Sequence, residues 1–581
     1  MSNNEFGAYL RKLRRSKGLT QEKLAQKLNL TGKAVSRWEN GASKPRGDYL
    51  LRLCALLDTS VDKLLSAGHA NAVISDTAVE DTMPLQMKYE HLNFIPKEQP
   101  ETGNYLCTWT LQRQVANQIG LPGRGTIRQR DVMNEELLFG EESYYHVYKT
   151  EDRHGLYFLL DDGWDVPYGT ASDNPKSRDI FGSLDPDPAK FGTLGADSTE
   201  ILSALTKKAI AHGYKGLGLW VSPQRPNLGI GVADDPEAAR DYWIEKAKQS
   251  AAAGIAYWKV DWGKGGNDLA YRTMMTDCVK KYAPKLLIEH AVPLTPFEVP
   301  TSPDDELALR MKETLKISDY FRTYDLCSPF GDALTVCRIA NLLKGFDPSA
   351  LRFDVQGVIN VESQPLVAAG LGFSLGVMEY SKTTEAVLRW QRIAPPFSVR
   401  HGALFCSEEE ITDRLYFSTA PIWWLKQYLN REVEISTPMV LSRNTRLPKV
   451  NAPGLLPRIA ACCHPKTHAL AVSSMKRTVD PNREIIALAD VTAYPDRLSA
   501  PIGLFGCFNS VTLEFSKDIP KKAVVYAQCL LSDAAVDITK EVTVNGRSLT
   551  VPGRLLRKLG HSVTETEYNY EPAVLIKLCR I

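Results

Sequence analysis

The residues able to do chemistry in this sequence fall at the ends of short apolar runs. Asp161 and Asp162 follow LYFLL, Trp220 ends LGLW, Lys259 and Asp261 lie in YWKVDWG, Glu289 in LIEH, and Arg322 and Asp325 in FRTYD. One carboxylate at a strand end means little, because aspartate also caps helices and forms turns. Four ends carrying acids or their basic partners, with a tryptophan at a fifth, point to a shared site. Two carboxylates on opposite sides of a sugar are what glycoside cleavage needs: one attacks or stabilises the oxocarbenium-like centre and the other protonates the leaving oxygen. Trp164, Trp220, Trp258 and Trp262 lie beside these acids and offer flat apolar faces.

The elements that must position such residues read as eight strands: Tyr105 to Leu111, Leu156 to Asp161, Gly216 to Val221, Ile255 to Asp261, Leu286 to Glu289, Tyr320 to Tyr324, Arg352 to Val355 and Gly372 to Val377. Amphipathic helices alternate with them, among them Thr199 to His212, Pro236 to Ala253 and Leu269 to Lys281. The alternation predicts a closed (β/α)8 TIM barrel, with a doubly wound open sheet as the alternative of the same local pattern. In a barrel the working groups sit at the C-terminal strand ends, where these acids fall. From about residue 455 the texture becomes short β-rich segments such as ALAVSS and VTLEF, with an Asn545-Gly546 turn, which predicts an antiparallel β-sandwich. The division expected is 1–67 as a small all-α domain, 68–102 as a linker, 103–454 as the barrel and 455–581 as the sandwich.

Charge sets the first segment apart. Residues 1–67 hold 13 Lys and Arg against 6 Asp and Glu, leaving 57 against 62 for the rest of the 581-residue chain. Phe6, Tyr9, Leu10 and Leu13 share one helical face. Thr20 and Thr31 stand where helix caps belong, and Leu50 to Leu57 and Val61 to Leu65 read as fourth and fifth helices. Val35 and Trp38 fall inward on the third helix, with Lys33, Ser36 and Arg37 outward. Two short helices joined at Asn29 and Leu30 can place the second in a major groove. The stretch LTQEKLAQKLNLTGKAVSRWENGASKP closely resembles the lambda-repressor and Cro-like (XRE-type) helix-turn-helix family. That resemblance implies that Gln21, Lys33, Ser36 and Arg37 face DNA, that Trp38 is core, and that the chain works as a homodimer on a two-fold site.

At LDDGWD, KVD and RTYD the chain resembles the α-galactosidases of glycoside hydrolase families 27 and 36. The resemblance implies a retaining hydrolase with a barrel followed by a sandwich, Asp261 as nucleophile and Asp325 as general acid/base. It further implies that Asp161 and Asp162 bind the 4- and 6-hydroxyls, that Lys259 binds near the 3-hydroxyl, and that Glu289 with Arg322 holds the 2-hydroxyl. Trp164 and Trp220 join them as substrate-binding aromatics. A retaining pair has its carboxyls about 5 to 5.5 Å apart. Asp325 follows Arg322 by one position fewer than much of family 27 has, so Asp319 and Asp332 are alternatives for the acid, and LIEHAVP lacks that family's Cys-Glu-Trp run.

The 11 cysteines are scattered without zinc-ligand spacing, and Cys462 and Cys463 are expected on opposite strand faces as buried thiols. The expectation is an enzyme needing no cofactor or metal. His154, His212, His290 and His464 are expected to be structural, with His290 nearest a ligand. No apolar run spans a bilayer and none opens the chain as a secretory signal, so no membrane association and a cytoplasmic location are expected. The sequence thus predicts a retaining exo-glycosidase of α-galactosidase type, with a carbohydrate substrate, fused to a sequence-specific DNA-binding domain. The alternative is a transcription regulator whose barrel senses sugar without turnover, and a third is an enzyme whose front domain docks protein.

Overall fold

The computed structural model describes residues 3–28, 30–43, 45, 49, 53, 56, 57, 92–121, 126–140, 143, 150–171, 178–229, 232–293, 298–323, 331–353, 358–379, 381–418, 429–480, 483–485, 487–560 and 571–580. The chain divides into two compact units, Met1–Gln86 and Met87–Ile581.

In the first unit, α1 (Asn3–Ser16), α2 (Gln21–Lys27) and α3 (Gly32–Glu39) enclose Phe6, Leu10, Leu24, Leu28, Val35 and Trp38. The Thr20 hydroxyl caps α2 by accepting the Lys23 amide at 3.1 Å, whereas Thr31 makes no side-chain cap on α3. Leu53 and Leu57 are buried in the same core, while Leu50, Val61, Leu64 and Leu65 of the expected fourth and fifth helices lie outside the described residues. Helices α1 and α3 touch backbone to backbone, since a Cβ on Gly7 would come within 2.5 Å of the Glu39 carbonyl. At that crossing Arg14 donates to Glu39 at 2.5 and 3.0 Å, and Gln21 donates to Glu39 Oε2 at 2.8 Å. Burial alone would raise the Glu39 carboxyl, but these hydrogen bonds outweigh it and hold it below its ordinary value.

The second unit begins with eight parallel strands: β1 (Tyr105–Cys107), β2 (Tyr157–Leu160), β3 (Gly216–Val221), β4 (Tyr257–Val260), β5 (Leu287–Ala291), β6 (Tyr320–Arg322), β7 (Val358–Asn360) and β8 (Gly376–Val377). Neighbours pair in sequence order from β1 to β7, and β8 pairs with β1. An isolated bridge from Asn360 to Ser374 brings β7 to the chain entering β8, giving a nearly closed barrel rather than an open sheet. The crossing helices begin on aspartates. Asp197, Asp235, Asp268 and Asp305 cap Ser198–Ala211, Pro236–Ala253, Leu269–Tyr282 and Glu306–Lys316, each cap contributing about 1 kcal/mol.

Three strands differ from the sequence expectation by more than a residue or two. Strand eight is Gly376–Val377 rather than Gly372 to Val377, because Gly372 is the left-handed cap that ends the helix Pro365–Leu371. Strand one stops at Cys107 rather than Leu111, because the helix Trp109–Gln118 starts there and buries Leu111 and Val115. Strand seven is Val358–Asn360; of the expected Arg352 to Val355, the first two residues lie outside any strand and Asp354 and Val355 lie outside the described residues.

Inside the barrel the N-terminal half is filled by tyrosines. Tyr105, Tyr157 and Tyr320 lie 5.5 to 5.9 Å from Tyr257, centroid to centroid. Glycines on the neighbouring strands make room for them: a Cβ on Gly218 would come within 3.2 Å of Tyr257 Cβ, and one on Gly376 within 2.7 Å of the Tyr105 ring. This plug supports a layer of charge above it.

The loop after β2 is fastened by charge rather than apolar packing. Arg130 forms a two-pronged pair with Asp162 at 2.7 and 2.8 Å. Lys190 donates to the carbonyls of Gly163 and Val166 at 2.7 and 2.6 Å, and to that of Arg130 at 3.3 Å. Asp165 is buried in the same loop, and its carboxyl oxygens make no full-geometry hydrogen bond among the described residues. Burial pushes this carboxyl up to about 7, the charge of Asp162 adds to the rise, and the Leu184 amide and Lys190 pull against it.

The remainder is β-rich. An eight-stranded sheet runs in the order Val536–Asp537, Ala523–Cys529, Ala573–Arg580, Ile502–Gly506, Leu470–Met475, Arg458–Cys463, Val440–Arg443 and Leu404–Cys406. A five-stranded sheet shares its core of Ile459, Val472, Val491, Val511 and Val551. The larger sheet mixes parallel and antiparallel pairs, since Leu470–Met475 runs parallel to Ile502–Gly506, and its first strands precede residue 455. Cys462 and Cys463 carry free thiols aimed at different carbonyls, those of Ala369 and His468.

Two outcomes are expected. Because Glu39 has a lowered folded value, its contribution is present above the ordinary glutamate pKa of about 4.3 and is lost as pH falls through the folded value. Amide protection factors across α1 to α3, taken against the intrinsic exchange rate at each pH, should therefore fall below about pH 4, and Glu39→Gln should lower them at neutral pH by the equivalent of up to about 3 to 5 kcal/mol. Asp165 has the opposite sign: its raised folded value makes the second unit lose stability as pH rises from about 4 to about 7. Urea unfolding of Asp165→Asn should show gained stability at pH 8, up to a few kcal/mol, and little change at pH 4.

Candidate active site

At the C-terminal strand ends the barrel interior changes from tyrosine to charge. Register explains the convergence, because Trp220, Lys259 and Glu289 are direct neighbours across β3, β4 and β5, and Arg322 lies one strand on, opposite Ala291 and Asn360. Residues two apart on a strand share a face, which places Asp261 above Lys259 and Glu362 above Asn360.

Two buried cations stand among four carboxylates. Lys259 Nζ lies 2.9 Å from Asp161 and 2.8 Å from Glu362. Arg322 lies 3.1 Å from Asp261, 3.2 Å from Glu289 and 3.1 Å from Glu362. Glu362 therefore bridges the two cations. Burial would lower the Lys259 ammonium, but Asp161 and Glu362 overturn that and keep it protonated. From below, Tyr257 donates to Glu289 Oε2 at 2.7 Å, as does the Asn360 amide at 2.7 Å, and Tyr105 donates to Glu362 at 2.8 Å. Burial and the neighbouring carboxylates drive both tyrosines well above their ordinary value, so they remain donors.

Asp261 closes β4 with each oxygen held separately. Oδ1 faces Arg322, and Oδ2 accepts from Trp220 Nε1 at 3.0 Å. Behind it Arg272 donates to the Asp261 carbonyl at 3.2 Å and to that of Gly266 at 2.7 Å, which fixes the turn leaving the strand. In front, Asp261 opens on a cavity of about 360 Å³ that Trp262, Asn267 and Glu298 also line. A carboxylate with both oxygens fixed and one face open to a cavity can attack, or stabilise, an electron-poor carbon without first reorganising.

The expected residues are partly gathered here. Asp161, Lys259, Asp261, Glu289, Arg322 and Trp220 converge. Trp164 does not: it is buried in the core between strands and helices, where its Nε1 donates to the Trp220 carbonyl at 3.0 Å. Asp162 gives both oxygens to Arg130. Glu289 lies under the site with Arg322, Tyr257, Asn360 and Tyr105 around its oxygens, so it supports Arg322 rather than reaching a hydroxyl. Asp325 lies outside the described residues. Asp319 precedes β6, at the opposite end of the barrel, where it pairs with Lys280 and accepts the Ile288 amide; position removes it as an acid. Asp332 is half-buried in the first turn of Gly331–Leu343.

His290 points outward from β5, contrary to its expected place near a ligand. Its Nδ1 accepts from Arg272 at 3.1 Å and its Nε2 faces Thr276 at 2.8 Å, and burial holds it neutral. Glu362, Tyr105, Asn360, Arg130 and Cys107, whose thiol donates to Asp161 at 3.0 Å, were not expected. Polar residues at alternate places in VINVES were the available signal for Asn360 and Glu362. No local signal marks Arg130, whose partner lies far along the chain.

In the first unit Lys33 and Arg37 are exposed on α3 and Ser36 is half-buried, while Gln21 directs its amide to Glu39. No group of three or more His, Cys, Asp or Glu side chains is placed to hold a metal ion among the described residues, and none of their helices is long and apolar enough to cross a membrane.

Residues 10–64 match the family described as helix-turn-helix. The HTH-type transcriptional activator BcrR of Enterococcus faecalis is 39% identical over 88 residues, 15% of this chain and 42% of that protein. The HTH-type regulator YqaE of Bacillus subtilis is 36% identical over 73 residues, 13% of this chain and 63% of that protein. The matches thus span less than two thirds of these relatives. Among solved structures, a family 27 β-L-arabinopyranosidase from Geobacillus stearothermophilus is similar at 12% identity over 75% of this chain and 90% of that one, with a TM-score of 0.34. The chemistry of the barrel is therefore argued from its site. At its N-terminus the chain carries a helix-turn-helix domain.

Proposed function

We propose that the barrel is a retaining exo-glycosidase of α-galactosidase type and that the helix-turn-helix domain binds DNA in a sequence-specific way, as a homodimer on a two-fold site. Asp261 is the nucleophile. The observation that supports this most directly is its carboxylate, fixed by Arg322 and Trp220 and open to a cavity. Lys259 and Asp161, on the β2 side, supply a cation and an acceptor for sugar hydroxyls. Asp325 is the acid/base, with Asp332 the alternative on the same side of the barrel. Attack by Asp261 at the anomeric carbon forms a glycosyl ester as the leaving oxygen takes the acid's proton; water activated by the same group then releases the sugar with its configuration retained.

A second reading is favoured by the helix-turn-helix match: a regulator whose barrel binds sugar without turning it over, and whose ligand shifts DNA affinity. Asp261→Gly separates the two. In an enzyme it lowers hydrolysis of nitrophenyl α-galactoside by on the order of 10³-fold or more, and added azide restores turnover by filling the vacated space, giving β-galactosyl azide. Absence of hydrolysis by the wild type across a panel of glycosides supports the sensor.

The DNA reading has its own measurement. Binding to a selected operator should weaken steeply with salt, and Lys33→Ala and Arg37→Ala, if they touch phosphate, should each reduce the log-log slope by about 1. Salt-insensitive or absent binding would favour a domain that docks protein.

A further inference from the structure

Behind Asp261 lies a second buried guanidinium, on the wall of the barrel rather than inside it. Arg272 stands near the start of Leu269–Tyr282, the helix that follows β4, and is 2% exposed. Its nitrogens meet neutral acceptors: Nε donates to the Gly266 carbonyl at 2.7 Å, Nη2 to the Asp261 carbonyl at 3.2 Å and Nη1 to His290 Nδ1 at 3.1 Å. Because that imidazole is neutral and accepts at Nδ1, its proton sits on Nε2 and points to the Thr276 hydroxyl.

The charge of Arg272 is therefore not spent on its hydrogen-bond partners. Burial pulls the guanidinium down to about 10; among the described residues Asp261 is the carboxylate that pulls it back, and Arg322 adds to the fall. Arg322 differs, since it divides its charge among Asp261, Glu289 and Glu362 at 3.1, 3.2 and 3.1 Å. One cation at the nucleophile is shared and the other is not.

Resting on the glycosidase reading, we infer that Arg272 is a positioning residue whose undivided charge favours the free carboxylate of Asp261 over its glycosyl ester and so drives the second displacement. In the first step an Asp261 oxygen bonds to the anomeric carbon as the bond to the leaving oxygen breaks, and the carboxylate loses its charge. In the second, the oxygen of water bonds to that carbon and a proton of water passes to the acid/base group. The ester bond breaks with its electron pair returning to Asp261, which regains its charge in the field of Arg272. An ester leaves this guanidinium buried among neutral groups, which raises the intermediate relative to the free site. Remove the cation, and the ester should accumulate.

The experiment uses the full-length wild type, Arg272→Met, Arg272→Lys and His290→Asp with dinitrophenyl α-galactoside, whose leaving group needs no proton, so that the second step limits turnover. In His290→Asp a carboxylate oxygen replaces Nδ1 and gives Arg272 a counter-ion of its own while its other hydrogen bonds remain. Arg272→Met and His290→Asp should each lower kcat about tenfold and KM in proportion, with kcat/KM kept within about threefold. Acid-quenched samples of both should carry one hexosyl group by intact mass. Arg272→Lys, which retains the charge, should keep kcat within about threefold of the wild type. Equal losses in Arg272→Lys and Arg272→Met, with kcat/KM falling alongside kcat and His290→Asp behaving as the wild type, would mark a merely structural clamp and overturn the inference. Should Arg272→Met not fold, His290→Asp decides. Turnover by the wild type with no ester gained in either charge-altering variant removes this inference alone; no turnover and no hexosyl protein in the wild type removes the glycosidase reading with it.

Discussion

The barrel depends on the bridge that Glu362 makes between Lys259 and Arg322. Two buried cations that close to one another are tolerable only with carboxylates between and around them. Once these ions are out of water, deleting one partner strands the others at a cost of about 3 to 5 kcal/mol. Much of the surrounding architecture serves this layer. The tyrosine plug offers hydroxyls to the undersides of Glu289 and Glu362, the glycines of β3 and β8 leave space for the rings, and Asn360 both closes the barrel and donates to Glu289. Stability and preorganisation are supplied by the same contacts.

How much of this was legible follows from what a sequence records. Local period and strand-end chemistry are local properties, so Gly216 to Val221, Pro236 to Ala253, Lys259, Asp261 and Arg322 could be read directly. The charge layer is a property of eight strands at once. Tyr105 resembled any core aromatic, and only the placement of β1 between β2 and β8 brings its hydroxyl to Glu362. Trp164 and His290 show the converse failure. Both stand beside acids in the sequence, yet strand alternation and the turn after β2 direct them into the wall. Glu362 was lost with its strand: the expectation stopped at Val355, whereas the strand is Val358–Asn360 and the polar alternation of its inward face runs on to Glu362.

The two units contrast in how they use a buried carboxylate. Glu39 is held ionised by Arg14 and Gln21 at a helix crossing too tight for a Cβ, so its charge serves the packing of α1 against α3. Asp165 lacks such donors, and burial raises it instead. One carboxylate is stabilising at neutral pH and the other is not, although both are removed from water. The difference lies in the number and charge of the donors that meet them.

The same accounting bears on the proposed double displacement. When Asp261 becomes an ester it loses its charge, and a guanidinium committed to Asp261 alone would then be left buried without a counter-ion. Arg322 is not so committed: Glu289 and Glu362 lie at 3.2 and 3.1 Å from the same group. The field of Arg322 therefore remains neutralised in the intermediate, while in the free site it still orients the attacking oxygen. Sharing one cation among three carboxylates weakens its hold on any one of them. That is the property a nucleophile needs if its charge must be held before the bond forms and released as it does.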